Sequence, residues 1–489
     1  LADTDGDGKA DKRTVLLNGW GNQATHETLN SIIWGPDGWL YGCHGVFTHS
    51  NVGQPGAPDS ARTRINAGIW RYHPSTRKFE VFAEGTRNPW GWDYDENGSG
   101  ILTCCDIPHL FHTVQGGIYA RQAGQSFHPH TYGYIQHICD HVHYFGGSSH
   151  EGNADPRRMQ VGGGHAHAGC LIYQGGAFPA PWTGRIFMNN LHGARINTDV
   201  LTPHGSTYVG KHGEDFLIAN DPNFRAVSLK TGPDGSIWMV DWYDPQICHN
   251  TDPNIWNRSY GRIQKVSYPA AAHNGHVDFS NLSPAQLLEK LSHPNSWHWR
   301  RALLTLGERH ETSVVPELLR MVQSEKDHRL VLRALWALSY LEAHSEKHLV
   351  GLLRHPNEWV RAWAVRLLSE NLSWQPETWQ AIEKLAAGDS SAVVVQAVAS
   401  ACIRWNQSGR EGGRRFRVSD ALAGRREFRD DPALPQLIWL ADEPNFRLNP
   451  DWSKVYSAAD ASTLDAPSLL RDHLTPRRMR RLASGSPED

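Results

Sequence analysis

The sequence changes character near residue 280, and this change constrains the fold more than any other feature. Before it, Gly-Pro-Asp-Gly turns at 35–38 and 232–235 separate short runs rich in aromatic and β-branched residues. Short strands joined by such turns at intervals of tens of residues are typical of a propeller or barrel. Beyond residue 280, leucines and alanines recur with helical spacing. The sequence therefore predicts a β-rich first half followed by an α-helical second half.

The first half divides into about four strand-rich units, which we interpret as propeller blades. These units span residues 14–85, 86–160, 165–212 and 216–268. Because the first unit begins abruptly, and because the first residue is Leu1, we expect this chain to be cut from a longer one at its N-terminal side.

The second half contains an internal repeat. The pattern Leu-x-His-Pro-Asn-x-Trp occurs at 291–297 and again at 353–359, and an Arg-Ala pair between the two copies halves the period. One helix pair per repeat is typical of a HEAT-like solenoid, with an irregular helical bundle as the alternative. The predicted domains are a propeller over 1–268, a linker over 269–282, a HEAT-like solenoid over 283–405 and a helical or irregular tail over 406–489. Within the tail, the stretch 410–429 is rich in Arg and Gly and is predicted to be a loop.

Charge and hydropathy exclude two classes of protein. The 48 Lys and Arg residues nearly balance the 51 Asp and Glu residues, so the basic face expected of a nucleic-acid-binding protein is missing. The mean hydropathy is −0.52. No apolar run approaches the roughly 20 residues that a membrane-spanning helix needs. We therefore predict no nucleic-acid partner and no membrane span in this chain.

An acidic loop at the start of the chain is a candidate metal site. Its carboxylates belong to Asp3, Asp5, Asp7 and Asp11, and glycines stand between them. Such oxygen ligands suit Ca²⁺, although Thr14 stands where an EF-hand loop places its bidentate glutamate. The two interpretations left open are a structural Ca²⁺ site and a plain polar turn.

Histidine is concentrated in the first half of the chain. Twenty of the 28 histidines lie before residue 277, and they include the pairs His128/His130, His141/His143 and His165/His167. Alternate residues of a strand share one face, so each pair could converge on a metal ion or serve as a general base. Hydrogen-bonded structural histidines are the alternative for each pair.

The dipeptide Arg87-Asn88, held by Pro89, is a further candidate. A guanidinium beside an amide offers fixed donors for carboxylates or quinone oxygens. A turn that connects two blades is the alternative.

The order of these motifs resembles a known family. The pattern His26-x-x-x-Asn30 precedes the first Gly-Pro-Asp-Gly turn and Arg87-Asn88-Pro89, and is followed by the stretch 165–195 and by Phe224-Arg225. In this order the motifs resemble the quinoprotein sugar dehydrogenases of the glucose/sorbosone type. The sequence also resembles the planctomycete-type membrane-bound dehydrogenase proteins with HEAT repeats, over about residues 1–405.

The resemblance implies a fold, a cofactor and a set of site residues. The fold would be a six-bladed type of β-propeller, here incomplete, followed by the HEAT-like solenoid. The cofactors would be pyrroloquinoline quinone (PQQ) and Ca²⁺, with His26 as the general base that takes the proton of the substrate hydroxyl. The implied cofactor-binding residues are Arg87, Asn88, His192, Arg225, His165 and Arg195.

The resemblance also implies a function and its partners. We expect a PQQ-dependent oxidoreductase that acts on a hydroxyl or aldehyde group of a sugar or polyol, in the periplasm or otherwise outside the cytoplasm. A cytochrome c or another protein would accept the electrons, although this sequence has no Cys-x-x-Cys-His motif of its own. The alternatives are a non-catalytic carbohydrate- or protein-binding propeller-solenoid and a hydrolase or lyase that uses histidine-bound metal.

Overall fold

A computed structural model shows a sheet-rich half followed by a helical half. It describes residues 1–143, 162–247, 252–269, 277–409, 414–448 and 469–484. The division near residue 280 is therefore as the sequence predicts.

The strands form four antiparallel sheets and one two-stranded ribbon. The first sheet and the ribbon contain β1 (Asn30–Trp34), β2 (Leu40–His44), β3 (Ser50–Val52), β4 (Thr63–Ile65), β5 (Gly68–Tyr72) and β6 (Phe79–Glu84). The second sheet contains β7 (Pro89–Tyr94), β8 (Gly100–Cys104) and β9 (Leu110–Thr113). The third contains β10 (His167–Ile172), β11 (Ile186–Asn190), β12 (Arg195–His204), β13 (Thr207–His212) and β14 (Leu217–Ile218). The fourth contains β15 (Ala226–Thr231), β16 (Ile237–Asp241) and β17 (Arg262–Val266).

Successive sheets lie side by side through their first strands. Strand β7 packs against β1 and β2, β10 packs against β7 and β8, and β15 packs against β10 and β11. Within each sheet the strands follow the chain as an antiparallel meander, with the β3–β4 ribbon inserted into the first sheet. This is the arrangement expected of neighbouring blades. Every described strand falls in the predicted unit of its sheet except β14, which pairs with β12 of the third sheet but lies within the predicted unit 216–268. A complete ring of six blades stays a prediction.

The helical half consists mainly of helix pairs. Its described helices are α1 (Pro284–Lys290), α2 (Ser296–Glu308), α3 (Val315–Ser324), α4 (His328–Tyr340), α5 (Glu346–Leu352), α6 (Glu358–Leu368), α7 (Pro376–Gly388), α8 (Ala392–Gln407), α9 (Arg414–Ala423), α10 (Leu434–Leu448) and α11 (Thr475–Ala483). Helices α2, α4, α6 and α8 begin at about the spacing that the sequence repeat predicts, and more than half of the residues in each are buried. The HEAT assignment and the domain boundaries stay predictions.

The repeated Leu-x-His-Pro-Asn-x-Trp pattern builds the same helix start twice. The side chain of Asn295 accepts a hydrogen bond from the Trp297 N–H at 2.9 Å, and Asn357 accepts one from the Trp359 N–H at 3.0 Å. An asparagine in this position satisfies an amide group that would otherwise lack a partner at the helix N-terminus. The repeat is therefore a capping device as well as a packing motif.

The helices cover the turn ends of the sheets. The hydroxyl of Tyr340 donates to Gly35 O at 2.8 Å, and the indole of Trp363 donates to Asn97 O at 2.7 Å. At the fourth sheet, a ring nitrogen of His298 lies 2.9 Å from Pro233 O. Both Gly-Pro-Asp-Gly turns therefore contact helices, and the opposite ends of the first strands lie away from them.

A buried ion-pair network joins the two halves. The carboxylate of Asp37 lies 3.1 Å from Arg71 and 2.9 Å from Arg366 of α6. Arg71 is fully buried and also pairs with Glu370 at 2.9 Å. Burial alone would raise the pKa of Asp37, but the charges of Arg366 and Arg71 outweigh burial and hold that pKa below its ordinary value.

One expectation for the tail is wrong. Residues 414–423, predicted as loop, form helix α9, whose Val418 and Leu422 are fully buried. The many arginines of this segment make its composition resemble a loop, although its few apolar residues recur with helical spacing. In the described part of the chain, no helix has both the length and the apolar character needed to cross a membrane.

Candidate functional site

A cavity of about 450 Å³ lies where the first strands of the four sheets begin. Residues 24–27 reach it from the turn before β1, and Asn88 and Trp90 from the start of β7. His165, Ala166 and Ala168 reach it from the start of β10, and Val227 from β15. All four sheets thus contribute to one cavity, at the end away from the helices. The predicted residues His26, Asn88 and His165 all line it.

His26 stands on a 3₁₀ turn that spans Thr25–Glu27. The indole Nε1–H of Trp90 donates to the carbonyl oxygen of His26 at 2.7 Å, which ties this turn to the second sheet. The His26 side chain is exposed, and it is part of the cavity lining. A ligand in the cavity can therefore reach the imidazole.

Two amide oxygens in the cavity wall are buried without a hydrogen-bond partner in the described structure. They are Asn88 Oδ1 and Gln122 Oε1, and Asn88 as a whole is only 9% exposed. Buried acceptors are normally paired, because losing water without a replacement costs about 1–3 kcal/mol. These oxygens are therefore suited to a bound donor or cation.

Two carboxylates also line the cavity, from Glu27 and Asp106. Burial raises the pKa of Glu27, and the charge of Asp106 raises it further, against the N–H groups of Phe47 and Val46 that lower it. The Phe47 N–H donates to Glu27 Oε2 at 2.5 Å. Among the described residues that line the cavity, none is Lys or Arg. The wall is thus rich in oxygen acceptors and negative in charge.

The predicted residues His192, Arg195 and Arg225 are not in the cavity lining. The ring of His192 stacks on the ring of His165 at 4.2 Å, and the two planes are 16° apart. Arg195 pairs with Asp215 at 2.7 Å. The guanidinium of Arg225 donates to Phe224 O at 2.7 Å.

Arg87 precedes the cavity residue Asn88 but is not in the lining. Its Nε is buried without a hydrogen-bond partner in the described structure, and its charge acts on His137 and Cys104. The structure therefore brings His26, Asn88 and His165 into one cavity, with His192 behind His165. Arg87, Arg195 and Arg225 stay outside the lining.

The acidic loop lies apart from the cavity, on the protein surface. The carboxylate oxygens of Asp3, Asp5 and Asp7 come within 4.8 Å of one another, whereas Asp11 accepts hydrogen bonds from Thr4. The Asp3 carboxylate accepts hydrogen bonds from the N–H groups of Gly8 at 2.8 Å and Gly6 at 2.7 Å, and these bonds lower the pKa of Asp3. Three of the four predicted ligands thus group together in an exposed loop.

The three His-x-His pairs behave differently from one another. His128 lies 3.4 Å from Glu84, and His130 lies 3.2 Å from the Tyr132 hydroxyl, so this pair has separate partners. His165 lines the cavity, whereas His167 is fully buried on another side of the chain, because Ala166 between them adopts a positive φ of 70°.

His141 and His143 do converge, and they meet His109 and Asp199. Sequence reasoning missed His109 and Asp199, which are 90 positions apart in the chain and are joined only by the fold. The one hint available is their position relative to strands, because His109 directly precedes a strand and Asp199 lies within one.

The described structure is thus a sheet-rich domain with a polar cavity, followed by a helical region. The chain belongs to the family described as a domain of unknown function, DUF7133, whose family model matches residues 1–271. No curated protein matches the sequence.

Several solved structures are similar to this chain at low identity. One is described as an oxidoreductase, a glucose dehydrogenase from Thermus thermophilus, with 14% identity, a TM-score of 0.29, and coverage of 49% of this chain and 83% of that one. A second glucose dehydrogenase has 15% identity, a TM-score of 0.27, and coverage of 50% and 82%. A third has 14% identity, a TM-score of 0.26, and coverage of 50% and 83%.

Proposed function

We propose that the protein is an oxidoreductase that oxidises a hydroxyl or aldehyde group of a sugar or polyol in the central cavity. The observation that carries this proposal is the convergence of His26, Asn88 and His165 from three different sheets on one cavity. These three residues belong to motifs that resemble the quinoprotein family and that lie far apart in the sequence.

The cofactor that the resemblance implies fits the cavity only together with a cation. PQQ is a tricarboxylate, and the described lining carries two carboxylates and no Lys or Arg. A Ca²⁺ ion would offset part of this negative charge, since it binds carboxylate and amide oxygens. The available ligands are Glu27, Asp106, Asn88 Oδ1 and Gln122 Oε1. We therefore propose PQQ and Ca²⁺ as a pair, with the exposed acidic loop as a separate structural Ca²⁺ site.

PQQ, when bound, supplies the acceptor for the hydride of the substrate. His26 takes the proton of the substrate hydroxyl, and a neutral imidazole suits this role near pH 7. The Trp90 indole holds the backbone of His26 in place. Asn88 offers an amide N–H₂ to an oxygen of the cofactor and an amide oxygen to the cation.

The apolar part of the lining suits a sugar ring. Phe47, Trp90, Leu191 and Trp242 line the same cavity as His26. Aromatic side chains offer broad apolar faces against which the C–H faces of a sugar can pack, while the polar groups fix its hydroxyls. These residues also exclude water from the reacting group.

The roles of the remaining predicted residues follow their positions. In this proposal His165, backed by His192, faces the cofactor. The charges of Arg87 and Arg225, which lie outside the lining, partly offset the charge of the cofactor, whereas that of Arg195 is paired with Asp215. On the resemblance alone, we further propose a cytochrome c or another protein as electron acceptor and a periplasmic or otherwise extracytoplasmic location.

Reconstitution of the full chain with PQQ and Ca²⁺ tests the proposal. We expect dye reduction that depends on an aldose or polyol and that needs both PQQ and Ca²⁺. A chain that binds no PQQ at any Ca²⁺ concentration would contradict the proposal. Saturable sugar binding without dye reduction by the PQQ-loaded protein would favour the non-catalytic carbohydrate-binding alternative.

A further inference from the structure

A cluster of three histidines and one aspartate lies between the second and third sheets, apart from the cavity lining. His109 directly precedes β9, His141 and His143 follow Cys139 in the chain, and Asp199 lies within β12. The side chains of His109, His143 and Asp199 are fully buried, and that of His141 is 19% exposed. We propose that these four residues bind one divalent transition-metal ion, with Zn²⁺ as the best match, and that this ion has a structural role.

The distances within the cluster are those of a tetrahedral metal site. His109 Nε2 lies 2.9 Å from Asp199 Oδ2, and His143 Nε2 lies 3.2 Å from Asp199 Oδ1. His141 Nε2 lies 3.3 Å from Asp199 Oδ1 and 3.2 Å from His143 Nε2. Zn²⁺ binds its nitrogen and oxygen ligands at about 2.0–2.1 Å, which places tetrahedral ligands about 3.3 Å apart. The measured separations of His141, His143 and Asp199 match this spacing, and one ligand atom from each of the four residues lies within 4.8 Å of the others.

The crowding of nitrogen atoms in the cluster favours a cation over hydrogen bonds alone. The Nε2 atoms of His141 and His143 lie 3.2 Å apart, and both face the same oxygen of Asp199. That oxygen has lone pairs for two N–H groups, but both donors must then carry their hydrogens into the same small space. With a cation at the centre, each nitrogen instead directs a lone pair at the ion.

The ligand set selects the class of metal. Three imidazoles and one carboxylate suit Zn²⁺ and similar transition metals, whereas Ca²⁺ and Mg²⁺ prefer sites made of oxygen ligands. Four protein ligands fill a tetrahedral site and leave no position for substrate. This closed and buried set argues for a structural ion rather than for the catalytic metal of a hydrolase.

Neighbouring residues support the ligands. Asp140 Oδ1 lies 3.0 Å from His141 Nδ1, which is the usual arrangement of a carboxylate behind a metal-binding histidine. Gly162 packs so closely behind His143 that an added Cβ would lie 2.5 Å from its Nδ1. The buried ring of His167 lies 4.7 Å from that of His109, and neither ring nitrogen of His167 has a hydrogen-bond partner in the described structure.

The ion would join parts of the chain that are far apart in sequence. It would tie the segment before β9 and the segment that carries His141 and His143 to the third sheet. His167 flanks the cluster, and His165, two residues earlier, lines the cavity. The metal would therefore hold one wall of the cavity, whether or not the proposed oxidoreductase function is correct.

Metal analysis of the purified full chain tests this proposal. We expect about one Zn²⁺ per chain, and tight rebinding of Zn²⁺ after treatment with a chelator. His141→Ala changes the least buried ligand, and Asp199→Asn removes the charge; each should weaken Zn²⁺ binding by more than about a hundredfold. Asp140→Asn should weaken it by about ten- to a hundredfold. The double variant His128→Ala/His130→Ala removes another His-x-His pair and should retain the metal.

Cobalt provides a readout that does not depend on a variant that folds. Replacement of Zn²⁺ by Co²⁺ in the wild-type chain should give the intense visible absorption of a four-coordinate site with nitrogen ligands. A chain that binds neither ion stoichiometrically would overturn the proposal. Zn²⁺ binding that is unchanged in folded His141→Ala and Asp199→Asn, or lost only in the His128/His130 control, would also overturn it.

Discussion

The indole Nε1–H of Trp90 donates a hydrogen bond of 2.7 Å to the carbonyl oxygen of His26. This bond joins the start of β7 to the turn before β1, 64 positions earlier in the chain. It fixes the backbone of the proposed base from the neighbouring sheet. Misplacement of a catalytic group is costly, because reaction rates depend steeply on the alignment of the reacting atoms.

Replacing Trp90 by Phe should lower the turnover of the reconstituted protein. The ring remains, but the donor is lost, and a typical hydrogen bond contributes about 0.5–1.5 kcal/mol, which corresponds to at most about a tenfold change in kcat. Steady-state kinetics with the best sugar substrate measure this change. Trp70→Phe is the matched control, because the Trp70 indole also donates to a backbone carbonyl, that of Cys43, outside the cavity. Equal effects of the two substitutions on kcat would contradict the positioning role.

Replacing His26 by Gln should remove turnover while the fold is retained. A positioned general base contributes about 10²–10⁴-fold to a rate, and an exposed side chain makes few packing contacts to lose. The measurement is dye reduction together with a thermal unfolding curve. The control is His204→Gln, which changes an exposed histidine of β12 outside the cavity lining. Full activity of His26→Gln would exclude His26 as the base.

Replacing Asp106 by Asn should raise the Ca²⁺ concentration that PQQ binding requires. An interaction with a charged group contributes about 1.5–3 kcal/mol of binding free energy. Its loss corresponds to roughly a ten- to hundredfold weaker apparent affinity for Ca²⁺. Titration of PQQ at several Ca²⁺ concentrations gives this value. Asp5→Asn, in the acidic loop, should leave it unchanged. If Asp5→Asn had the larger effect, the cofactor-linked cation would belong to the loop instead of the cavity.

The stability of the second sheet should depend on pH through Asp95. Burial raises the pKa of Asp95 to about 6, despite hydrogen bonds from the N–H groups of Ser99 and Asn97. A carboxyl group whose pKa is higher in the folded than in the unfolded state stabilises the fold at low pH. That contribution is fully present below about pH 4 and is lost as the pH rises through about 6.

Asp95→Asn should therefore flatten the pH dependence of unfolding between pH 4 and pH 7. The expected difference is on the order of 1–2 kcal/mol, measured by urea unfolding at the two pH values. An unchanged pH dependence in the variant would show that Asp95 is ionised in the folded protein throughout this range.

The sequence was most informative where local chemistry dictates structure. The Gly-Pro-Asp-Gly turns and the two Asn-capped helices follow from backbone preferences and from the need to satisfy amide groups at a helix start, so both were predictable. The contacts between these turns and the helices could not be predicted, because only the fold brings Gly35 and Pro233 against helical residues.

The candidate site was predicted in part. His26, Asn88 and His165 share a cavity, but sequence order does not show which way a side chain points from its strand. Arg195 and Arg225 therefore turned out to pair with Asp215 and with the carbonyl of Phe224, outside the lining. The convergence of His109 with Asp199 depends on contacts between two sheets, which no local pattern encodes.

A crystal structure of the full chain with PQQ and Ca²⁺ tests the central claim most directly. We predict PQQ in the cavity lined by His26, Asn88 and Asp106, with the Ca²⁺ ion bound to oxygen atoms of Glu27 or Asp106. Electron density for PQQ elsewhere on the protein, or a cavity that holds only water at saturating PQQ and Ca²⁺, would contradict the claim.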